Sequence, residues 1–269
     1  EDWWKNRDSL IYNFMGQDNL VFHTLMWPAQ LIGSKQGYTL PYNVVVNKFM
    51  NYEGKKFSKS RNWTIDSKIM AERYGSDLIR YYITANFPEN KEGNFTWEGF
   101  ISGVNNELVA NLGNFINRTL KFFEARFEGT LLMTTPINDD VKKEIDSVYT
   151  QMEEHLDKCE FTHALERLME FTRFGNRYFD EMKIWEVIKT DENKAKIIIH
   201  DLLSMIEQLP ILMNPFMPEG SLKLYSLLNE GGMKGKWEGI FPNKHKLNGT
   251  VTVLFNKLDS DLTLQKKDK

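Results

Sequence analysis

From Thr96 to Leu228 the apolar residues recur at three- and four-residue intervals, a periodicity that constrains the fold more than any other feature of the chain. Phe100, Val104, Leu108, Leu112, Phe115 and Leu120 fall on one side of a first helix, which Thr96 is placed to cap. Val141, Ile145, Val148, Met152, His155 and Leu156 predict a second helix. Thr162 is placed to cap a third, which runs through Leu165, Leu168, Met169, Thr172, Asn176 and Phe179. A fourth extends from Ala195 through Leu202, Leu203 and Ile206 to Leu209, where Pro210, Pro215 and Pro218 kink or break its continuation. Ser221 to Leu228 makes a short fifth. Amphipathic helices joined by short connections predict an up-and-down bundle.

The preceding stretch follows a different rule. Ile11-Tyr12-Asn13-Phe14-Met15 is β-branched and aromatic and predicts a strand. Leu20 to Leu31 has helical spacing up to Gly33, with Pro28 as a possible kink, and Val44 to Phe49 predicts a second strand. Strand, helix, strand is a βαβ unit with parallel strands, whose ligands sit at the carboxyl ends of the strands. Gly16, Asp18 and the loop after the second strand fall there. Asp18 suits a ribose hydrogen bond and equally a helix N-cap. His23, on a helix face beside Trp27, suits a small-molecule pocket and equally a packed core.

That loop, Glu53 to Arg61, holds four Lys/Arg, two serines and a glycine in nine residues. Glycine permits close backbone approach, lysines supply point charges and serines donate hydrogen bonds, a combination suited to phosphate. By charge alone it reads equally as a solvated surface loop. Beyond it, Thr64 to Ser67 offers caps for a helix through Met70 to Tyr74, which Gly75 ends, and Asp77 is placed to cap the next, Leu78 to Ile83. Residues 53–97 carry no alternating strand pattern. At the far end Gly232 to Leu247 reads as loop, Thr250 to Phe255 as extended, and Asp259 to Lys269 as a fraying polar tail.

Composition narrows the class. The chain has 269 residues, 41% hydrophobic and 26% charged, which predicts a globular protein with more than one domain. Lys+Arg number 34 against 37 Asp+Glu, a net charge of −3, so any nucleic-acid binding relies on local patches. Aromatics, at 13%, are plentiful enough for both cores and base stacking. The single cysteine, Cys159, excludes an internal disulfide and a cysteine-based zinc site, and suits a reducing compartment such as the cytoplasm. There is no run long enough to span a membrane. The opening Glu1-Asp2-Trp3-Trp4-Lys5, with no methionine and two adjacent tryptophans, reads as the start of a piece cut inside a domain.

Several motifs, in order, resemble one family. Lys56-Phe57-Ser58-Lys59-Ser60 looks like the second class I synthetase signature, usually Lys-Met-Ser-Lys-Ser, with phenylalanine in place of methionine. Phe14-Met15-Gly16-Gln17-Asp18-Asn19, with Phe22-His23, looks like that family's strand-to-helix stretch, where lysine usually stands at Gln17. Asn111 to Arg118, and Asn176-Arg177-Tyr178 followed by Trp185, look like its anticodon-binding helices, although Ile184 replaces the usual proline. Essentially the whole chain resembles the C-terminal half of the core of the methionyl-tRNA synthetase family. The resemblance implies an α/β plus all-α architecture. Residues 1–52 would be the second half of a Rossmann-like catalytic domain and 53–97 the lysine loop with a stem-contact segment. Residues 98–240 would be a helical-bundle anticodon-binding domain and 241–269 a C-terminal extension.

The resemblance also implies site roles. Lys56 and Lys59 would be catalytic, closing over ATP. Gly16, Asp18, Met50 and Lys59 would bind the nucleotide, and Phe22, His23 and Trp27 would line a methionine pocket. Asn114, Arg118 and Trp185 would read a CAU anticodon. The substrates and partners would be ATP with Mg2+, methionine and tRNA(Met), with no metal held by the chain itself. The family's His-x-Gly-His motif is absent from this sequence, which predicts that the chain alone does not adenylate methionine. A non-catalytic RNA-binding helical module is the alternative.

Overall fold

The computed structural model describes residues 2–229, 233 and 235–259, and these form two compact units. One comprises Glu1–Thr64 with Asn86–Thr96; the other comprises Ile65–Ala85 with Trp97–Lys269.

In the smaller unit β1 (Ile11–Gly16) pairs in parallel with β2 (Pro41–Asn47), with Phe14 opposite Val45 and Gly16 opposite Asn47. The expected second strand is therefore shifted toward the N-terminus. It stops at Asn47, because the chain bends there into a second small sheet. In that sheet β3 (Met50–Tyr52) pairs in parallel with β5 (Gly93–Phe95) and antiparallel with β4 (Lys55–Lys56). Sheet formation in residues 53–97 was not legible, since strands of two and three residues are too short to show alternation. The β3–β4 hairpin turns on Glu53 and Gly54, whose φ of 48° and 75° supply the handedness a two-residue hairpin requires. Between β1 and β2 the chain forms a short helical turn, Gln17–Asn19, and then a widened one, Phe22–Met26. In the latter the Trp27 N–H donates to the Phe22 carbonyl five residues back. Helix α1 (Trp27–Gly33) follows, with Pro28 in its first turn, where its missing N–H costs nothing.

The larger unit is helical. Asp66 caps α2 (Ser67–Tyr74) by accepting from the Lys68 and Ile69 N–H groups, and Gly75, at φ 82°, ends it. Asp77, expected to cap, lies inside α3 (Ser76–Ala85). Its buried carboxylate instead accepts from the Gly220 N–H at 2.6 Å, at the start of a distant helix. Sequence proximity suggested the nearest helix end, but tertiary packing supplied another.

A continuous helical stretch then comprises α4 (Trp97–Gly103), a widened segment Val104–Gly113 and α5 (Asn114–Phe127). Phe100, Val104, Leu108, Leu112, Phe115 and Leu120 are all fully buried along it, as the periodicity requires. Asn138 caps α6 (Asp139–Asp157). Next comes α7 (Phe161–Met182), which begins one residue before the expected cap. Thr162 is thus inside the helix, and its hydroxyl donates to the Thr84 carbonyl instead. The bundle closes with α8 (Ile184–Val187), α9 (Glu192–Ile206), α10 (Leu209–Met213) and α11 (Pro218–Leu228). Gly175 lets α5 and α7 meet: a Cβ there would lie 2.2 Å from the Phe115 ring.

The C-terminal part holds a strand where loop was expected. β7 (Lys244–Lys246) pairs antiparallel with β6 (Thr130–Leu132), and Thr250–Phe255 is not in a strand. Val251 and Phe255 are buried there as separate anchors. Of the expected polar tail, all but Asp259 falls outside the described residues. No helix among the described residues is long and apolar enough to cross a membrane.

Candidate functional site

In the smaller unit the loop after β3 is built on a stack of rings. Tyr52 stands at its centre. Phe57 lies parallel to Tyr52 with ring centroids 5.6 Å apart, and Trp63 and Phe95 pack around Tyr52 at 5.0 and 6.2 Å. The indole N–H of Trp63 donates to the Tyr52 carbonyl at 3.0 Å. Ser58 and Trp63 exchange both backbone hydrogen bonds, at 3.0 and 2.9 Å. This closes the base of the loop and leaves Lys59–Arg61 as a single exposed turn, ended by Asn62 in the left-handed region. Phenylalanine in place of the usual methionine thus has a physical reason: a flat ring stacks on Tyr52.

The charges of the loop are arranged around that base. Lys55 lies 5.2 Å over the Trp63 ring, a cation–π contact. Arg61 donates to the Ser58 hydroxyl at 3.2 Å. Lys55, Lys56, Arg61 and Trp63 line a cavity of about 420 Å³. Lys59 projects from the exposed turn. Among the described residues neither Lys56 nor Lys59 has a carboxylate within 4 Å, so both ammonium groups face water in this state. An uncompensated set of four cations and two hydroxyls matches a polyanion such as a triphosphate. It does not match a metal ion, so any Mg2+ would arrive on the phosphates.

Gly16 ends β1. A Cβ there would fall 2.8 Å from the Asp18 carboxylate, so glycine is what allows the backbone to fold back on that side chain. Asp18 is exposed in the short turn that follows. Met50 begins β3, just past the end of β2. Gly16 ends β1 opposite Asn47, the last residue of β2, and Met50 follows three residues after that end. The His23 and Trp27 rings meet edge to face at 6.1 Å, and Trp4 meets Trp27 at 5.8 Å. The His23 Nδ1 is buried without a hydrogen-bond partner. Phe22 is 53% exposed, although it begins the same widened turn.

In the helical unit a second constellation is equally ordered. Asn114 and Arg118, one turn apart on α5, face Asn176 and Asp180, one turn apart on α7. The Asn114 amide donates to the Asn176 side chain at 3.3 Å, and Arg118 donates to Asp180 at 2.8 Å and to the Asn176 carbonyl. Asn176 in turn donates to the Asn111 carbonyl at 3.0 Å. The Arg118 guanidinium lies 4.2 Å over the Phe179 ring, and Phe179 stacks on Trp185 at 5.7 Å with 24° between planes. Guanidinium, phenyl ring and indole thus form a ladder. Lys183, at φ 43°, reverses the chain before α8. Ile184 then plugs fully into the core, leaving Trp185 38% exposed. The hydrophobic residue at the proline position anchors the turn and aims the indole outward. Asn114 sits where the widened helix relaxes, its N–H reaching the Val109 carbonyl. Such widened turns recur at functional sites.

Asp180 was the residue not found from sequence. The signal was available: Asn176 and Asp180 repeat on α7 the four-residue spacing of Asn114 and Arg118 on α5.

Residues 1–120 match the model of class I tRNA synthetases (M), and residues 133–260 match the anticodon binding domain of methionyl tRNA ligase. A methionine–tRNA ligase of Porphyromonas gingivalis is 37% identical over 97% of this chain and 40% of its own length. That of Thermococcus onnurineus is 35% identical over 96% of the chain and 37% of its own length. The chain therefore spans roughly two fifths of the curated relatives it matches. In fold it resembles Mycobacterium tuberculosis methionyl-tRNA synthetase in its apo form, at TM-score 0.80 and 21% identity, covering 93% of this chain and 50% of that one. A structure of the same enzyme in complex with methionyl-adenylate matches at TM-score 0.80 and 23% identity, over 90% and 49%. With two consecutive family models and relatives aligned along nearly its whole length, the chain belongs to the methionyl-tRNA synthetase family.

Proposed function

We propose that the protein to which this chain belongs joins methionine to tRNA(Met) through a methionyl-adenylate, in the cytoplasm, with ATP and Mg2+. The observation that carries this reading is the cationic loop Lys55–Arg61 on its aromatic base, in which Lys56 and Lys59 have no carboxylate within 4 Å among the described residues. In the first step a methionine carboxylate oxygen bonds to the α-phosphorus of ATP while the bond to pyrophosphate breaks. Negative charge gathers on the departing oxygens, and Lys56 and Lys59 neutralise it most strongly in the transition state. Asp18 accepts from the ribose hydroxyls, with Gly16 permitting the approach, and the Met50 backbone contacts adenine. Phe22, His23 and Trp27 hold the methionine side chain. Residues 1–52 act as the catalytic part, 53–97 as the connection bearing the loop, 98–240 as the anticodon reader and 241–269 as its extension. Asn114, Arg118 and Trp185 read CAU. Single-stranded bases are recognised by stacking and by edge hydrogen bonds, and the Arg118–Phe179–Trp185 ladder offers both.

The test separates the two constellations. Lys59→Ala in the whole enzyme lowers kcat for methionine-dependent ATP–pyrophosphate exchange by on the order of 10²-fold, the scale of losing one transition-state charge contact. Trp185→Ala leaves that exchange unchanged and raises KM for tRNA(Met). Exchange at the parental rate in Lys59→Ala refutes the catalytic role. Detectable exchange by the 269-residue chain alone refutes the expectation that adenylation needs the missing His-x-Gly-His motif.

A further inference from the structure

The turn between α6 and α7 gathers three side chains that the proposed reaction does not use. His155 lies in the last turn of α6, Glu160 precedes α7 and His163 lies in its first turn. The reversal is tight: Cys159 adopts φ 61°, and the Glu160 N–H donates back to the His155 carbonyl at 2.8 Å. As a result His155 Nδ1 is 2.7 Å from a Glu160 oxygen, and the two imidazoles are 5.4 Å apart. One donor atom from each of the three lies within 4.8 Å of the others.

We propose that His155, Glu160 and His163 form a binding site for a first-row divalent transition-metal ion such as Zn2+, which staples the α6–α7 turn. Two imidazoles and a carboxylate are a donor set such ions favour, with water completing the shell. Glu160 immediately precedes α7 and His163 lies in its first turn, so the start of that helix brings the carboxylate and the imidazole to the same place as His155. Bonds of about 2.1 Å around a tetrahedral ion require donor atoms roughly 3.4 Å apart, so the His155–Glu160 pair, at 2.7 Å, must open slightly while the third donor, within 4.8 Å, moves in. His163 is exposed and the other two are half-exposed, which leaves their rotamers free to do so. The neighbouring Cys159 is buried and is not one of the clustered donors.

Zn2+ titrated calorimetrically into the chain at pH 7.5 is expected to fill one such site and to raise the thermal midpoint, whereas Mg2+ does neither. His163→Gln and Glu160→Gln each weaken binding by roughly tenfold or more, since even second-layer partners of metal ligands are worth that much. His23→Gln, at a distant histidine, leaves binding unchanged. Both variant sites are at the surface, and unaltered helical circular dichroism confirms that they fold. Equal affinity in a His155→Gln/His163→Gln double variant, or no saturable Zn2+ binding by the parent chain, overturns the proposal.

Discussion

Phe14 on β1 and Phe115 on α5 are the same side chain in two different settings: the first is 58% exposed, the second entirely buried. The contrast extends to their units. Within the smaller unit Met15, Pro88 and Phe95 are the buried apolar side chains among the described residues, while Leu10 before β1, Phe14 on β1, Leu25 in the widened turn and Ile32 on α1 are exposed. Two parallel strands and one crossover cannot cover both faces of a sheet. The helical unit closes on itself. Its core runs from Met70 to Phe255, and buried polar side chains such as Tyr178 with Asp201 and His200 with His245 pair with one another. Apolar patterning specifies a stable unit only when enough elements are present to receive it. In the smaller unit the same patterning leaves a surface that calls for further protein.

Four measurements would sharpen or break this contrast. Phe115→Ala removes a ring packed against Gly175 and is expected to cost about 3–5 kcal/mol in urea unfolding followed by helical circular dichroism. Acid should act next. His200 Nδ1 lies 2.7 Å from His245, and His245 lies 2.7 Å from Glu207, all three buried. Burial, followed by the neighbouring His245, pushes His200 from 6.5 to about 4. The unfolded chain therefore takes up a proton that the folded chain refuses. Stability is fully present above pH 6.5 and declines as pH falls toward 4, by about 3 kcal/mol from this group. His200→Gln should remove that part of the acid sensitivity, and an unchanged pH profile would contradict the assignment. Asp77→Ala strips two backbone N–H groups at the start of α11 of their acceptor, and should cost about 1.5–3 kcal/mol. Phe14→Ala should cost about 0.5 kcal/mol or less in the chain as given. If it cost as much as Phe115→Ala, the two units would not differ as described.

Legibility followed the range of the forces involved. The buried face from Phe100 to Leu120 was readable because a helix repeats its environment every turn. The hairpin at Lys55–Lys56 was not, because its pairing with β3 depends on strands whose register no local pattern encodes. The caps at Asp66 and Gly75 were readable as neighbours of their helix. Asp77 and Thr162 misled because each found its partner, Gly220 and Thr84, far away in sequence. At the candidate sites the motifs pointed to Lys56, Lys59, Asn114, Arg118 and Trp185. The Tyr52 stack beneath the loop and the Asp180 clamp on Arg118 needed coordinates.

By itself, then, the sequence determined the main helices, the β1 and β2 strands, the helical core and the family. These rest on periodicity and on residue types that each segment carries alone. Tertiary structure decided which groups satisfy which. It gave Asp77 to α11, stacked Phe57 on Tyr52, seated Ile184 so that Trp185 faces outward, and brought His155 and His163 around a single turn. Hydrogen bonds and ring contacts are short-ranged in space but unrestricted along the chain, so only the folded backbone chooses their partners.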